Sequence, residues 1–140
     1  MELKVKKIRK DARLPSYGHT GDAGLDLYSA EDLVIDPGGV KPVPTGIRVA
    51  IPEGYAGLVW DKSGVSLQGV HRLAGVIDSG YRGEVKVVLV NLSKAPFRIA
   101  KGMKIAQLLI QPVEAVQVVE TEELDETQRG EGGFGSTGRF

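Results

Sequence analysis

The C-terminal segment Arg129–Phe140 reads Arg-Gly-Glu-Gly-Gly-Phe-Gly-Ser-Thr-Gly-Arg-Phe and has residue types suited to phosphate. Glycines in series let the backbone approach a ligand closely. Backbone N–H groups, the Arg129 guanidinium and the hydroxyls of Ser136 and Thr137 suit phosphate oxygens. Phe134, followed by Gly135, can lie flat on a planar ring. The segment therefore predicts an arm that orders over a nucleotide, with a disordered glycine-rich tail as the alternative.

Two internal segments carry carboxylates in positions that suit chemistry. Asp26 lies within the apolar run Leu25–Ser29, where Asp is depleted, and it is a candidate for orienting Mg²⁺ or its waters. Asp78 follows an apolar pair and precedes a Ser-Gly turn, with Tyr81 three residues further on. A carboxylate there could act as a general base beside an aromatic pocket wall. The alternative for Asp78 is a hairpin with a turn aspartate.

Two further segments offer groups for binding rather than for proton transfer. Lys62, Ser63 and Gly64 supply a cation, a hydroxyl and free N–H groups at a possible helix start, which is a phosphate-binding composition. A plain loop explains them equally well. Gln107 is a neutral amide within an apolar strand, so it needs a partner, either the backbone or a ligand.

Bulk composition excludes several functional classes. Eighteen basic and 18 acidic residues give a formal net charge of zero, which argues against nucleic-acid and membrane-surface partners. The chain has no Cys and two His, so thiolate catalysis, disulfides and His-rich zinc sites are not expected. The charged N-terminal stretch resembles neither a signal peptide nor a membrane span, so a cytoplasmic protein is expected.

The pattern of apolar runs between Gly and Pro turns predicts an all-β fold, with a short helix possible at Ser63–Gln68. One run, Glu84–Leu92, is nearly continuous and predicts a strand buried on both faces. Residues 1–120 are expected to form one jelly-roll-like β-barrel domain, and residues 121–140 an acidic linker and a flexible arm. The predicted strands are Leu3–Ile8, Leu25–Ser29, Leu33–Ile35, Gly46–Ile51, Tyr55–Trp60, Glu84–Leu92, Phe97–Ile99, Ile105–Ile110 and Val113–Val119.

Taken in order, these segments resemble the five motifs of the deoxyuridine triphosphatase (dUTPase) family, trimeric type. The resemblance covers nearly the whole chain, and five motifs in order are highly specific. It implies a jelly-roll subunit and a homotrimer in which the arm closes over a neighbour's site. The matching segments are Asp22–Ala30, Asp61–Ser66, Ala74–Gly83, Gly102–Gln107 and Arg129–Gly138.

The resemblance implies an Mg²⁺-dependent dUTP diphosphatase that yields dUMP and pyrophosphate, limiting uracil in DNA. Asp78 would deprotonate the water that attacks the α-phosphorus, and Tyr81 would exclude a 2′-hydroxyl. Asp26 would orient waters on the Mg²⁺ that the triphosphate chelates, and Phe134 would stack on uracil. The backbone around Leu73–Ile77 would read the base. The remaining substrate-binding residues would be Lys62, Ser63, Gly64, Gly75, Val76, Ile77, Gln107, Arg129, Gly135, Ser136 and Thr137.

The chain departs from the family pattern at two places. Lys62 stands where the family usually has Arg, which keeps the charge but loses the planar fork. Some relatives place an Asn near Arg72 to help read the base. For His71 and Arg72 the favoured interpretation is a solvated turn, which leaves the source of base selectivity partly open.

Three other functions are compatible with parts of the pattern. A dCTP deaminase resembles the same fold, but its catalytic Glu corresponds to Val88, an apolar residue that cannot shuttle protons. A non-catalytic nucleotide-sensing module would not need Asp78, Tyr81 and the complete arm. A plain structural β-barrel leaves the arm unexplained.

Overall fold

A computed structural model describes all 140 residues. The chain forms eleven strands and one four-residue helix, all of them short and separated by turns. In chain order they are β1 (Lys4–Lys7), β2 (Leu25–Tyr28), β3 (Leu33–Ile35), β4 (Val40–Pro44), β5 (Ile47–Ala50), β6 (Tyr55–Trp60), α1 (Ser63–Ser66), β7 (Val70–Leu73), β8 (Val76–Ile77), β9 (Lys86–Asn91), β10 (Phe97–Ile99) and β11 (Lys104–Pro112).

The strands assemble into four antiparallel sheets with the orders β1-β5, β10-β3, β2-β11-β6-β8 and β4-β9-β7. Most neighbours are distant in the sequence, as in a jelly roll. One apolar core of 19 buried residues draws side chains from all four sheets. Its largest fully buried members are Leu27, Ile35, Ile47, Leu89, Ile105 and Leu108. The prediction of an all-β, jelly-roll-like fold is confirmed.

Predicted and observed strand bounds agree for three apolar runs with turn residues at their ends. Leu33–Ile35, Tyr55–Trp60 and Phe97–Ile99 have the predicted bounds, and five other predicted strands overlap observed ones. The possible helix at Ser63–Gln68 is present as α1. The expectation for Glu84–Leu92 is wrong in detail, because β9 alternates between buried and half-buried positions along Val87–Val90.

Three strands escaped prediction, and one predicted strand is absent. β4 carries Pro42 and Pro44, which the sheet tolerates because β4 lies at its edge. The missed strands β7 and β8 are short and lie on either side of Ala74–Gly75. The segment Val113–Val119 is exposed and irregular, since β11 ends at Pro112 and no strand of the same chain pairs with this segment.

The C-terminal part of the chain lies on the outside of the barrel. From Gln111 onward all residues are exposed except the half-buried Gly132 and Gly133. Every hydrogen bond that residues 121–140 make is internal to that segment. The single helix has four residues, so the chain contains no helix that could span a membrane.

Candidate active site

An open cavity of about 330 Å³ lies beside β8, a volume suited to a small ligand. Asp78 and Tyr81 both line it, together with the predicted backbone stretch Gly75–Ile77, so the structure brings these five predicted residues together. The complete lining is Val59, Ala74, Gly75, Val76, Ile77, Asp78, Tyr81, Glu84, Val85 and Lys86.

The cavity wall depends on an edge strand. β8 pairs with β6 on one side and has no strand on its other side, which leaves backbone donors and acceptors free there. Gly75 begins this wall, and its carbonyl accepts a hydrogen bond of 2.7 Å from the Val59 amide. Its φ is 119°, and a Cβ at this position would lie 2.8 Å from the Val59 carbonyl oxygen. Glycine is therefore required here for both conformation and space.

Asp78 opens a tight turn that presents two functional side chains. The Tyr81 amide donates to the Asp78 carbonyl at 3.1 Å, which closes the turn. The Tyr81 hydroxyl donates to the Glu84 carbonyl at 3.0 Å, and a Cβ on Gly83 would lie 2.3 Å from that hydroxyl. The ring is thus held in place against Gly83. The carboxylate of Asp78 makes no hydrogen bond or ion pair, so it is free to interact with a ligand or a water molecule.

A second group of charged residues, the carboxylate–lysine cluster, consists of Asp26, Lys62 and Lys104. The Lys62 Nζ lies 2.5 Å from Asp26 Oδ1, and the Lys104 Nζ lies 2.8 Å from Asp26 Oδ2. The Asp26 side chain is only 6% exposed, whereas those of Lys62 and Lys104 are 30% and 49% exposed. The ammonium groups therefore remain accessible to an anion while a buried carboxylate fixes them.

The charge state of Asp26 is set by these neighbours. Burial alone would raise the pKa of this carboxyl, but hydrogen bonds and charge from Lys104 and Lys62 outweigh burial and hold the pKa below its usual value of 3.8. The same pairing raises the pKa of Lys104 above its usual 10.5. Asp26 is an anion and Lys104 a cation across the neutral range, which gives the cluster a net positive charge.

Sequence reasoning missed Lys104. It lies in the same motif as Gln107, and β11 places it opposite Tyr28 on β2, two residues from Asp26. The motif that contains Gln107 already drew attention to this stretch. Only the pairing of β2 with β11, which are far apart in the sequence, brings Lys104 to the carboxylate.

Gln107 bonds the backbone rather than remaining free. Its Nε2 donates to the Asp61 carbonyl at 2.8 Å, which ties β11 to the residue before Lys62. Gly24 makes room for this side chain, because a Cβ there would lie 2.3 Å from Gln107 Oε1. Of the two partners predicted for Gln107, the structure shows the backbone one.

His71 and Arg72 do not form a solvated turn, and that interpretation is wrong. Both lie on β7, where pairing with β9 fixes their direction. His71 Nδ1 lies 2.9 Å from Asp61 Oδ1, and the Arg72 amide donates to the same oxygen at 2.8 Å. Burial would raise the pKa of Asp61, but these hydrogen bonds and the charges of His71 and Arg72 hold it below 3.8. The carboxylate of Asp61 draws both residues into fixed contacts.

The other predicted binding residues lie apart from the cavity. Ser63 and Gly64 are exposed at the start of α1, next to Lys62. In the arm, Arg129 donates from Nε to the Gly132 carbonyl at 2.9 Å, and Phe134 is fully exposed with φ of 51°. Gly135, Ser136 and Thr137 are likewise exposed and line no part of the cavity.

The residues present do not fit a metal ion held by the protein alone. The chain has no group of three or more His, Cys, Asp or Glu side chains arranged for a metal. Both oxygens of Asp26 already bond ammonium groups, so direct ligation would break two ion pairs. A ligand that carries its own oxygen donors would be needed to bring a divalent cation here.

These surfaces define a class of protein. A cavity with a free edge strand and an unpaired carboxylate suits a planar, hydrogen-bonding ring and an activated water. Accessible ammonium groups and hydroxyls outside the cavity suit phosphates. The two surfaces are joined through β6, because Val59 lines the cavity and Lys62 follows the end of the strand. The fold and the site are those of a β-barrel protein suited to a phosphorylated ligand.

Comparison with known sequences identifies the family within that class. The sequence profile of the dUTPase family matches residues 10–138. The chain is 49% identical over 139 residues to the deoxyuridine 5′-triphosphate nucleotidohydrolase of Alkaliphilus metalliredigens, with 97% of this chain and 96% of that protein aligned. It is 52% identical over 141 residues to the protein of the same name from Clostridium kluyveri, with 99% of each aligned. The chain belongs to the dUTPase family.

Solved structures agree with this assignment. A variant of the dUTPase of Staphylococcus bacteriophage 80alpha, solved with dUpNHpp, superposes with a TM-score of 0.93 at 34% identity and covers 99% of each chain. A variant of the phage phi11 dUTPase of S. aureus, which shows the coordination of a structural Mg(II) ion, superposes with a TM-score of 0.81 at 31% identity. That alignment covers 88% of this chain and 98% of the phage protein.

Proposed function

We propose that Asp78 takes a proton from the water that attacks the α-phosphorus of dUTP, giving dUMP and pyrophosphate. As a member of its family, the chain is a dUTP diphosphatase. The observation that carries the assignment of the base is the carboxylate of Asp78, which lines the cavity and has no partner within the chain. The water's oxygen bonds to phosphorus as the bond to the bridging oxygen breaks, and pyrophosphate leaves.

The cavity wall supports a role in base and sugar recognition. The free backbone edge of Gly75, Val76 and Ile77 would pair with the polar edge of uracil. Tyr81, fixed against Gly83, would pack on deoxyribose and leave no room for a 2′-hydroxyl. Backbone groups in a paired strand move little, so they can discriminate between bases by fixed donor and acceptor positions.

Phosphate binding would fall to the groups outside the cavity. Lys62 and Lys104 offer cations already oriented by Asp26, and Ser63 and Gly64 lie beside them. The second N–H of the Gln107 amide is available, since one bonds the Asp61 carbonyl. From the arm, Arg129, Ser136 and Thr137 would add donors, Phe134 would cover the base, and Gly135 would permit close approach. Such donors stabilise the charge that develops on phosphate oxygens in the transition state.

Magnesium would enter with the substrate, because the chain alone offers no fitting donor set. Chelated by the triphosphate, it would neutralise charge on the phosphate oxygens. Asp26 would contact it only through water. The protein's own part is to hold the phosphates and to keep Asp78 next to the attacking water.

We also propose that the active site is shared between the subunits of a homotrimer, with a barrel of residues 1–120 and a linker and arm of residues 121–140. The arm makes no hydrogen bond to its own barrel. Val116, Val118 and Val119 are between 71% and 90% exposed, an apolar surface that a single chain leaves uncovered. The linker Thr121–Gln128 can span roughly 25 Å if extended, which is enough to reach a neighbour.

The reaction is tested by product analysis. The protein with dUTP and Mg²⁺ is expected to release pyrophosphate and dUMP, and Asp78→Asn is expected to bind nucleotide but lose most turnover. Orthophosphate and dUDP as products would refute attack at the α-phosphorus. Ammonia released from dCTP would instead support a deaminase, for which the chain offers only the hydrocarbon side chain of Val88 at the required position.

Sharing of the site is tested with two inactive proteins. One is truncated after Gln128 and keeps Asp78, and the other carries Asp78→Asn with the arm intact. If the arm closes over a neighbour, refolding the two together should restore activity well above the sum of the parents. If mixed oligomers form, as confirmed by mass, yet stay inactive, the arm serves its own subunit and the proposal fails.

A further inference from the structure

The chain passes from one sheet to another at Ala74–Gly75, here called the sheet crossing. Both residues line the start of the cavity wall. β7 belongs to the three-stranded sheet and β8 to the four-stranded one. Both crossing residues have positive φ, 58° at Ala74 and 119° at Gly75. Glycine adopts such values without penalty, but alanine does not. The conformation at Ala74 therefore depends on contacts that hold it.

Arg72 provides those contacts. Its Nη1 donates to the Ala74 carbonyl at 2.5 Å, and its Nε lies 3.4 Å from Asp61 Oδ2. Its Cζ lies 4.7 Å from the centroid of the Trp60 ring, a cation–π contact. The side chain is 18% exposed. The guanidinium stacks on Trp60 and donates one hydrogen bond, from Nη1 to the Ala74 carbonyl, while Nε is held near Asp61 by charge alone and makes no hydrogen bond. A planar group held in these three ways has little freedom, so the Ala74 carbonyl is fixed as well.

Asp61, the acidic partner of Arg72, is itself bonded to the barrel. The Asp61 carboxylate accepts the Arg72 amide at 2.8 Å, and the Asp61 carbonyl accepts Gln107 Nε2 at 2.8 Å. Asp61 directly follows β6, and β6 is the strand against which β8 pairs. The sheet crossing and the cavity wall are therefore both held by contacts with β6 or the residue that follows it.

We propose that Arg72 is a positioning residue for base selectivity, which acts by fixing the sheet crossing and thereby the backbone groups that meet uracil. The proposal rests on the proposed function. The Ala74 carbonyl and the Gly75 amide share one peptide plane, so a rotation there redirects a donor at the start of the wall. Uracil and cytosine differ by exchange of a donor and an acceptor on one ring edge. Rejecting cytosine therefore requires fixed backbone groups, not merely a cavity of the right size.

The test measures kcat and KM for dUTP and dCTP in Arg72→Met, which keeps the length of the side chain but removes the guanidinium. We expect KM for dUTP to rise about tenfold, kcat to change less, and the dUTP-to-dCTP ratio of kcat/KM to fall about tenfold or more. Arg72→Lys can still donate to the Ala74 carbonyl and should recover part of the ratio. Arg98→Met, on the exposed face of β10, is the matched control and should match the parent.

A merely structural role gives a different result. It would lower the melting temperature and the active fraction, and so kcat, while KM and the nucleotide ratio stay as in the parent. That result would overturn the proposal. If Arg72→Met does not fold, Asp61→Asn decides, because it keeps the acceptor for the Arg72 amide but removes the charge. It should shift KM and the ratio in the same direction, and an unchanged ratio overturns the proposal. Failure of the parent protein to release pyrophosphate from dUTP would instead refute the proposed function.

Discussion

Asp26→Asn isolates the charge at the centre of the carboxylate–lysine cluster. Removing one partner of a fully buried ion pair costs about 3–5 kcal/mol. The Asp26 side chain is 6% exposed, but the Lys62 and Lys104 side chains are 30% and 49% exposed, so water can solvate the ammonium groups left behind. The expected loss is therefore smaller, about 1–2 kcal/mol at neutral pH. The asparagine has one acceptor oxygen in place of two, and its NH₂ group would face the ammonium group that contacted the other oxygen.

The lowered pKa of Asp26 determines how the stability difference between parent and variant changes with pH. Because the folded protein holds the pKa of Asp26 below 3.8, the carboxylate contributes stability that is fully present above the unfolded pKa of about 3.9. This contribution is lost as the pH falls through the folded pKa. The partner Lys104 has a pKa raised above 10.5, so its share is present below that value and lost as the pH rises through the folded pKa. The stability difference between parent and variant should be constant from about pH 5 to pH 9 and shrink in acid.

The assay is urea unfolding at matched protein concentration, since oligomer stability depends on concentration. Fluorescence of Trp60, the single tryptophan, and circular dichroism should agree. In thermal unfolding at neutral pH, the melting temperature of Asp26→Asn should be lower than that of the parent by roughly 3–6 °C. Glu53→Gln removes one negative charge from an exposed turn residue without an ion pair and should not change stability. A deficit as large at pH 3 as at pH 7 would show that the carboxylate charge is not its source.

Two further predictions address ligand binding. Tyr81→Ala should reduce the ratio of kcat/KM for dUTP to that for UTP by roughly tenfold or more, because the Tyr81 ring lines the cavity together with Asp78. Tyr81→Phe keeps the ring and should keep the ratio. An unchanged ratio in Tyr81→Ala would place sugar discrimination elsewhere. Millimolar Mg²⁺ alone should not raise the melting temperature, whereas Mg²⁺ with a non-hydrolysable dUTP analogue should, since the chain lacks its own metal cluster. A clear rise with Mg²⁺ alone would contradict a substrate-borne ion.

How far the sequence predicts the fold depends on whether the information is local. Leu33–Ile35, Tyr55–Trp60 and Phe97–Ile99 have the expected bounds, as turn residues mark their ends. β4 was missed because two prolines are compatible with a strand only at an edge, and an edge is a property of the sheet. Val113–Val119 has the residues of a strand, but a strand requires a partner, and the chain supplies none.

The same distinction between local and long-range information applies to the residues of the candidate site. The Asp78 turn with Tyr81 is a local feature and lines the cavity as expected. Lys104 was missed because its contact with Asp26 exists only through the β2–β11 register. Arg72 was assigned to a solvated turn, and nothing in Gly69–Leu73 itself indicates the distant residues that it contacts. The ion pair with Asp61 and the ring of Trp60, which keep it out of solvent, lie at the end of another strand.

The separation of the charged groups has a chemical reason. A carboxylate between two ammonium groups holds its charge more tightly and is a weaker base, as the lowered pKa of Asp26 shows. A base placed among the cations proposed to bind phosphate would be weakened in the same way. Asp78 has no cation within ion-pairing distance, and Lys62 and Lys104 are already occupied by Asp26. Asp26 thus orients these two cations. In the proposed reaction the phosphates would compete with Asp26 for Lys62 and Lys104, whereas Asp78, the proposed base, makes no ion pair within the chain.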